Sequence, residues 1–400
     1  MKDSIVNLLD DQALWERFLA YRLVKGRFDW KDFVAADDYV ATESYRDLAS
    51  HLMQGERLGI PRKKMVNKRG TDKKRVVYTF APETMQMLSY IAYLLYRYDD
   101  RFTPNCYAFR RGVRPQDAIR QLNKALSERP MWAYKVDIHN YFNSIPIDLL
   151  MPMLAELLAD DLPLYHFLDQ MLTDDRVVFN DQVIEEQHGV MAGTPTSPFL
   201  ANVFLDAVDR HFYEAGVVYA RYSDDIILFA PDRDSLEVYK AQLLGFLKQY
   251  RLEVNPEKER IYAPDEPFEF LGFKCHGHAV DISKATVDKM KGKIRRRARS
   301  LMRWRKRKGI DAERAMAVMI RHFNHKFFDD DDPDTLTWSR WYFPVVNRTE
   351  GMKEIDRYLQ QQIRYLSTGK HSKVNYRVDY ATLKRLGYRS LVNAFYQSQK

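Results

Sequence analysis

Two adjacent carboxylates, Asp224 and Asp225, stand in Arg221-Tyr222-Ser223-Asp224-Asp225, between the apolar runs Val217-Val218-Tyr219-Ala220 and Ile226-Ile227-Leu228-Phe229. The pattern predicts strand, tight turn, strand. Acids at a turn between buried strands repel each other and lose hydration, so something cationic must neutralise them. Hard oxygen donors of this type suit a pair of divalent ions, Mg²⁺ or Mn²⁺. An Asp-Asp turn alone is more often simply solvated. The metal reading gains from a third acid, Asp137, in a matching setting. Trp132, Tyr134, Val136 and Ile138 alternate with Ala133, Lys135 and Asp137, which predicts a strand ending at Asp137, with that residue on the face opposite the buried set.

Other segments must position these acids. Residues 1–60 read as helices, with Leu14, Phe18 and Tyr21 at helical spacing, and carry no evident chemistry. Lys63, Lys64, Lys68 and Arg75 load a predicted hairpin that reads either as a solvated basic loop or as a flap gripping phosphates. Leu149 to Leu172 reads as one amphipathic helix, and Arg176 to Val183 as a hairpin turning at Asn180-Asp181. Gly189 to Pro198 is a Gly/Pro/Thr loop, with Ser197 as helix N-cap and Pro198 as first helical residue. The helix that follows buries Leu200, Phe204, Val208 and Phe212 and shows Asn202, Asp206 and Asp209 on its other side. The predicted order (strand, helix, hairpin, helix, strand, turn, strand, helix, strand) suits a mainly antiparallel α+β unit.

The bulk numbers set the class. A chain of 400 residues with 46% hydrophobic content holds two or three folded subdomains, and a net charge of +8 points to a polyanionic partner. Thirteen Lys and Arg face one acid, Asp288, between Ser283 and Lys308, and Arg295, Arg296, Arg297 and Arg299 form the centre of that run. Cys106 and Cys275 lie far apart, supporting neither a disulfide framework nor a zinc knuckle, and Cys275-His276-Gly277-His278 reads as an ordinary hairpin. There is no signal-peptide core and no membrane-length apolar stretch, so a cytoplasmic setting is expected.

Taken in order, the motifs resemble the reverse transcriptases. Asp137-Ile138-His139-Asn140-Tyr141-Phe142 looks like the first palm motif, Gly193 through Asn202 like the Gly-x-x-x-Ser-Pro-x-x-x-Asn loop and helix, and Tyr222-Ser223-Asp224-Asp225 like the Tyr-x-Asp-Asp box. Asn255 to Lys258 and Phe270-Leu271-Gly272-Phe273 match the last two palm motifs. Pro104 to Arg110 is similar to a loop of group II intron and retron-type enzymes. The resemblance implies an α+β right-hand polymerase: a helical extension (1–60), fingers (61–130), an RRM-like catalytic palm (131–275), and a basic helical thumb and C-terminal region (276–400).

It also implies roles. Asp137, Asp224 and Asp225 would hold two metal ions about 3.5–4 Å apart. Arg75 with one of Lys63, Lys64 or Lys68 would clamp the triphosphate. Lys258 would protonate the pyrophosphate leaving group, although the residues alone equally allow an exposed lysine. Ile138, Tyr141, Phe142, Ala192 and Gly193 would line the nucleotide site, with the Phe142 ring excluding a 2′-hydroxyl. Tyr222, Phe270 to Phe273 and Arg295, Arg296, Arg297 and Arg299 would hold primer and template. Where the family usually has Pro-Gln-Gly, this chain has Met191-Ala192-Gly193, which puts nucleotide selection in question but not the metal chemistry. No RNase H or HNH segment is evident. The resemblance therefore implies a stand-alone bacterial RNA-directed DNA polymerase that copies a dedicated non-coding RNA in a retroelement or anti-phage system. It would use a DNA or RNA primer and dNTPs, with a partner protein or second copy possible. The alternatives are template-independent or protein-primed synthesis at the same site, or a silent RNA-binding scaffold.

Overall fold

The computed structural model describes residues 3–24, 30–67, 74–127, 129–328 and 337–399. The chain divides into two compact units, Met1–Ala118 with Met131–Pro264, and Ile119–Pro130 with Asp265–Lys400. It is α+β, as expected.

The first 60 residues contain α1 (Gln12–Val24), α2 (Trp30–Ala41) and α3 (Arg46–Met53). Their packing centre is Trp15, fully buried and stacked on Tyr45 at 4.9 Å and Tyr90 at 4.0 Å. The basic hairpin is β1 (Arg62–Asn67) with β2 (Lys74–Thr79), followed by α4 (Pro82–Leu94) and α5 (Pro115–Ser127). Then come β3 (Trp132–Asp137), α6 (Tyr141–Ser144), α7 (Ile147–Leu157), α8 (Leu162–Leu172), β4 (Arg176–Phe179) and β5 (Gln182–Glu185). The unit ends with α9 (Ser197–Glu214), β6 (Tyr219–Tyr222), β7 (Asp225–Ala230), α10 (Arg233–Gln249) and β8 (Arg260–Tyr262).

Two sheets result. β1 pairs antiparallel with β2 and parallel with β4, giving the order β2-β1-β4-β5. The β4–β5 turn falls at Asn180 and Asp181, both at positive φ (49° and 59°), as a two-residue hairpin of matching twist requires. The second sheet runs β6-β7-β3-β8, antiparallel throughout. Read along the chain, its strands and helices follow the split β-α-β order of an RRM-like sheet. Tyr134, Val136, Ile226 and Leu228 on one face join a core with Leu200, Phe204, Leu236 and Leu243 from α9 and α10.

Three local expectations change. The second face of β3 is not open, because Ala133 and its neighbours Ile227 and Phe229 are also buried, and Asp137 is 8% exposed. The uninterrupted apolar run of β7 is what a strand covered on both faces looks like. Leu149–Leu172 is two helices rather than one, since the Asp161 carboxylate caps α8 at Leu164 N (3.2 Å) and Pro163 follows it. At α9, Thr196 is the N-cap and Ser197 the first helical residue, its hydroxyl donated to the carbonyls of Val190 (2.5 Å) and Met191 (2.7 Å).

The second unit carries the antiparallel strands β9 (Phe268–Phe270), β10 (Phe273–His276) and β11 (Ala279–Ile282). The helices are α11 (Lys284–Lys308), α12 (Ala312–Phe328), α13 (Trp338–Tyr342), α14 (Glu350–Thr368), α15 (Tyr380–Arg385) and α16 (Leu391–Ser398). Cys275-His276-Gly277-His278 is the expected ordinary hairpin, and both cysteines are free and buried. α11 starts at the Ser283 cap and buries Val287, Met290, Ile294, Ala298 and Leu301 against α12 and α14, leaving its basic faces outward.

Candidate active site

Strand register brings the acids together. Asp137 ends β3 directly opposite Asp225 at the start of β7, and Ile138 N–H donates to the Asp224 carbonyl (3.0 Å). Tyr222 pairs with Asp225, so Ser223-Asp224 is a two-residue turn, with Ser223 at φ 64°. A non-glycine residue held there is local strain of the sort concentrated at functional turns. Burial, with the Asp137 charge beside it, holds the Asp224 carboxyl above the usual carboxylate range, against the pull of Lys258 and Arg75. Burial also pushes Asp225 up to about 6 despite Lys135, whose Nζ lies 3.3 Å from Oδ1. Lys258 Nζ donates to Asp137 Oδ2 at 2.5 Å, and Asn255 N–H binds the Asp137 carbonyl at 2.8 Å, fixing the Asn255–Lys258 segment to the end of β3.

Lys258 and Lys135 thus draw two of the carboxylates to separate ammonium groups. Among the described residues no three Asp, Glu, His or Cys close into a ready-made metal cage. The donor set still fits hard divalent cations. It is all oxygen, it is desolvated, and the neighbouring carboxylate charges raise the proton affinity of Asp224 and Asp225, a repulsion that a cation relieves.

The turn is held by a network that sequence reading missed. Arg221 and Asp209 are both fully buried, and the Arg221 Nε donates to Asp209 Oδ1 (2.8 Å) while Nη2 donates to Oδ2. Tyr219 OH also donates to Asp209 (2.9 Å), and Arg221 Nη1 reaches Asn202 Oδ1 (3.3 Å) and the Ser223 carbonyl (3.4 Å). Asn202 and Asp209 therefore lie inside, not on an outer side of α9. The same arginine anchors the 103–112 loop: its N–H binds the Asn105 carbonyl (3.0 Å) and its carbonyl accepts from Tyr107 N (2.9 Å). The sequence signal was present, an Arg beside the acidic turn with an Asp twelve residues earlier, but only the register pairs them.

Around the Ala192 loop, Asn143 is the second missed residue. Its side chain accepts from Ala192 N (2.8 Å) and donates to the Val76 carbonyl (3.2 Å), while the Ala192 carbonyl accepts from Tyr78 N (2.8 Å). The Met191-Ala192-Gly193 loop is thereby fixed to β2. Gly193 lies at φ 108°, and a Cβ there would come within 2.9 Å of the Tyr78 carbonyl. Strand alternation separates the hairpin lysines. Lys64 shares a face of the hairpin with Arg75, whereas Lys63 lies on the other face and is taken by Glu186, which also accepts from Tyr78 OH at 2.7 Å. Lys68 falls outside the described residues. Phe142 is half-buried and its ring lies 6.0 Å from Phe109, itself 6.2 Å from Tyr222, so an aromatic row links the two motifs. Tyr141 is buried, its hydroxyl on the Ala201 carbonyl (2.5 Å), and Ile138 is buried too.

In the second unit, Phe270 and Phe273 are buried and flank the turn Leu271-Gly272, whose residues have φ 51° and 86°. Arg295, Arg296 and Arg299 are exposed and Arg297 is half-buried.

A family profile described as Reverse transcriptase (RNA-dependent DNA polymerase) matches residues 63–275, more than half of the chain. The chain is 29% identical over 154 residues to the retron Ec48 reverse transcriptase of Escherichia coli, covering 37% of this chain and 33% of that protein. It is 36% identical over 73 residues to the retron Mx65 reverse transcriptase of Myxococcus xanthus, covering 17% of each. It is 29% identical over 129 residues to the putative COX1/OXI3 intron 2 protein of Saccharomyces cerevisiae, covering 32% and 14%. The chain spans a third or less of the length of these curated relatives.

Proposed function

The chain belongs to the reverse transcriptase (RNA-dependent DNA polymerase) family, and from that premise we propose that it extends a primer with deoxynucleotides along an RNA template. The observation that carries this reading is the pairing of Asp137 with Asp225 at adjoining strand ends, with Asp224 bonded through its carbonyl to the residue after Asp137. Asp137 and Asp224, with Asp225 beside them, would hold divalent ions, which when bound would activate the primer hydroxyl and neutralise charge on the triphosphate.

The chain's own residues do the rest. Lys258, hydrogen-bonded to Asp137, would return a proton to the leaving pyrophosphate. Arg75 and Lys64, on one face of the hairpin, grip the triphosphate oxygens. The Phe142 ring, held against Phe109, closes the space a 2′-hydroxyl would need. Ala192 offers no side-chain contact, and both its backbone groups are engaged, so selection rests on template pairing and on loop shape. Fingers are assigned to 61–130, palm to 131–275 and thumb to 276–400, after the 1–60 extension.

The template we propose is a dedicated non-coding RNA of a bacterial retroelement or defence system; in its support, two of the relatives are named retron reverse transcriptases. No helix among the described residues is long and apolar enough to cross a membrane.

The test is extension of a DNA primer on an RNA template with Mg²⁺ and dNTPs. Asp224→Ala with Asp225→Ala should lower incorporation about a thousandfold, the equivalent of roughly 4 kcal/mol of lost charge stabilisation. Undiminished synthesis by that variant would overturn the proposal, and equal use of NTPs would remove the role given to Phe142. Sequencing the nucleic acid that purifies with the protein tests the template.

A further inference from the structure

α11 presents cations on two separate flanks. At about 100° per residue, Arg297, Ser300, Trp304 and Arg307 recur at i, i+3, i+7 and i+10 along one side of its buried stripe, while Arg295 and Arg299 lie on the other; Arg303 and Lys306, i+4 and i+7 from Arg299, continue that second side and also line the groove. The first flank faces α12 across a groove of about 1270 Å³. From α12 come Arg314, Ala317, Val318 and Arg321, again one helical face. Six of the eleven lining residues are Lys or Arg, and none is acidic. Of the acids at the start of α12, Glu313 pairs with Arg385 and Asp311 caps the helix at Arg314 N (2.7 Å). Arg305, by contrast, is tied to the Leu366 and Ser367 carbonyls and takes no part. Arg297 Nε is buried in the groove wall without a hydrogen-bond partner. Such a concentration of like charge is costly unless a polyanion sits in it.

The groove is also not a plain charge patch. Half-buried Trp304 stands among the arginines, with Ala317 and Val318 on the facing helix. A groove that offers cations for a backbone and one indole face for a base has the two components of single-strand recognition. A duplex keeps its bases stacked inside and gives the indole nothing to bind.

We propose that the α11–α12 groove, whose lining leaves out Arg295 and Arg299, is a binding site for single-stranded RNA, in which arginines track phosphates and an unstacked base lies on Trp304. Such a site would hold an unpaired segment of the RNA that the polymerase copies, and in that respect the inference rests on the proposed polymerase function.

The test measures binding of a labelled twelve-nucleotide single-stranded RNA and of an RNA–DNA duplex to the full chain, without dNTPs, across a salt series. Trp304→Ala should weaken single-strand binding about tenfold and change duplex binding far less. Arg307→Glu with Arg314→Glu should lower the single-strand log–log salt slope by about 0.7 for each phosphate no longer neutralised. Trp304→Tyr, which keeps a ring, should retain most of the affinity, whereas Trp304→Leu should not; melting curves show that each variant is folded. The proposal falls if Trp304→Ala and Trp304→Leu bind the single strand as the native chain does, or if single-strand binding instead follows Arg295→Glu with Arg299→Glu. It also falls if the duplex loses as much as the single strand. Primer extension by the native chain is read separately, so failure of the groove and failure of the polymerase assignment give different results.

Discussion

The acidic strand ends and the basic helix carry charge in opposite ways. Asp137, Asp224 and Asp225 are withdrawn from water, bonded into the backbone register and matched to Lys258 and Lys135. Behind them stands a fully buried Arg221–Asp209 pair. On α11, Arg295, Arg296 and Arg299 are exposed and make no ion pair among the described residues. The contrast follows from what each charge would do under the proposed function. Acids that hold ions against a reacting phosphate need fixed positions, which burial and hydrogen bonding provide. Cations that follow a mobile polyanion need only proximity, and solvation keeps them adjustable. Stability should therefore depend on the first set and affinity on the second.

The sharpest break of that contrast is Asp209→Leu. It leaves the Arg221 guanidinium buried without its carboxylate, and the expected loss is about 3–5 kcal/mol in chemical denaturation. Adding Arg221→Met should recover most of that stability, because an apolar pair of similar volume escapes the desolvation cost. Synthesis should stay low in the double variant, since the Ser223 carbonyl loses its partner. An Asp209→Leu protein as stable as the native chain would mean that the pair does not hold the turn.

Next in size is Lys258→Met. If the ammonium delivers a proton, kcat should fall about a hundredfold with little change in KM for dNTP. A rise in KM alone would make Lys258 a counter-ion of Asp137 instead. That experiment separates two roles which the 2.5 Å hydrogen bond serves equally.

The sheet and its acids were legible because their signals are local. Alternation marks β3, and an Asp-Asp turn between apolar runs marks β6 and β7. The charge of α11 could be counted directly. What escaped was pairing at long range. Asp209 reads as a surface residue of α9 until Arg221 is seen to enter the same core, and Asn143 has no motif value until the Ala192 loop lies against it. Burial of the second face of β3 escaped for the same reason, since periodicity within one strand does not report what covers it. Lys63 and Lys64 differ by one position, and only hairpin register sends one to Glu186 and the other to the Arg75 face.

The exposed charges give a smaller and different response. Arg295→Glu, Arg296→Glu and Arg299→Glu together should leave the melting temperature nearly unchanged. Their effect should fall on primer–template affinity, with a log–log salt slope flattened by about 0.7 for each single-strand phosphate that is no longer neutralised. A large drop in stability with an unchanged slope would reverse the contrast between fixed acids and mobile cations.

The Lys63–Glu186 pair lies between these extremes, half-buried, and tests the contrast by pH. Burial alone would push the Glu186 carboxyl up, but hydrogen bonds from Lys63 and Tyr78 outweigh it and hold the group below its ordinary value. The unfolded chain therefore binds that proton at a higher pH than the folded one. The carboxylate's contribution to stability is full above the ordinary glutamate pKa and is lost as pH falls through the lowered folded value. Glu186→Gln should cost about 1 kcal/mol near pH 7, the size of one hydrogen-bonded pair, and the difference from the native chain should close in acid. A difference that stays constant from neutral pH into acid would show that the residue acts through shape and neutral hydrogen bonding. The hairpin would then belong with the fixed, buried part of the molecule despite its surface cations.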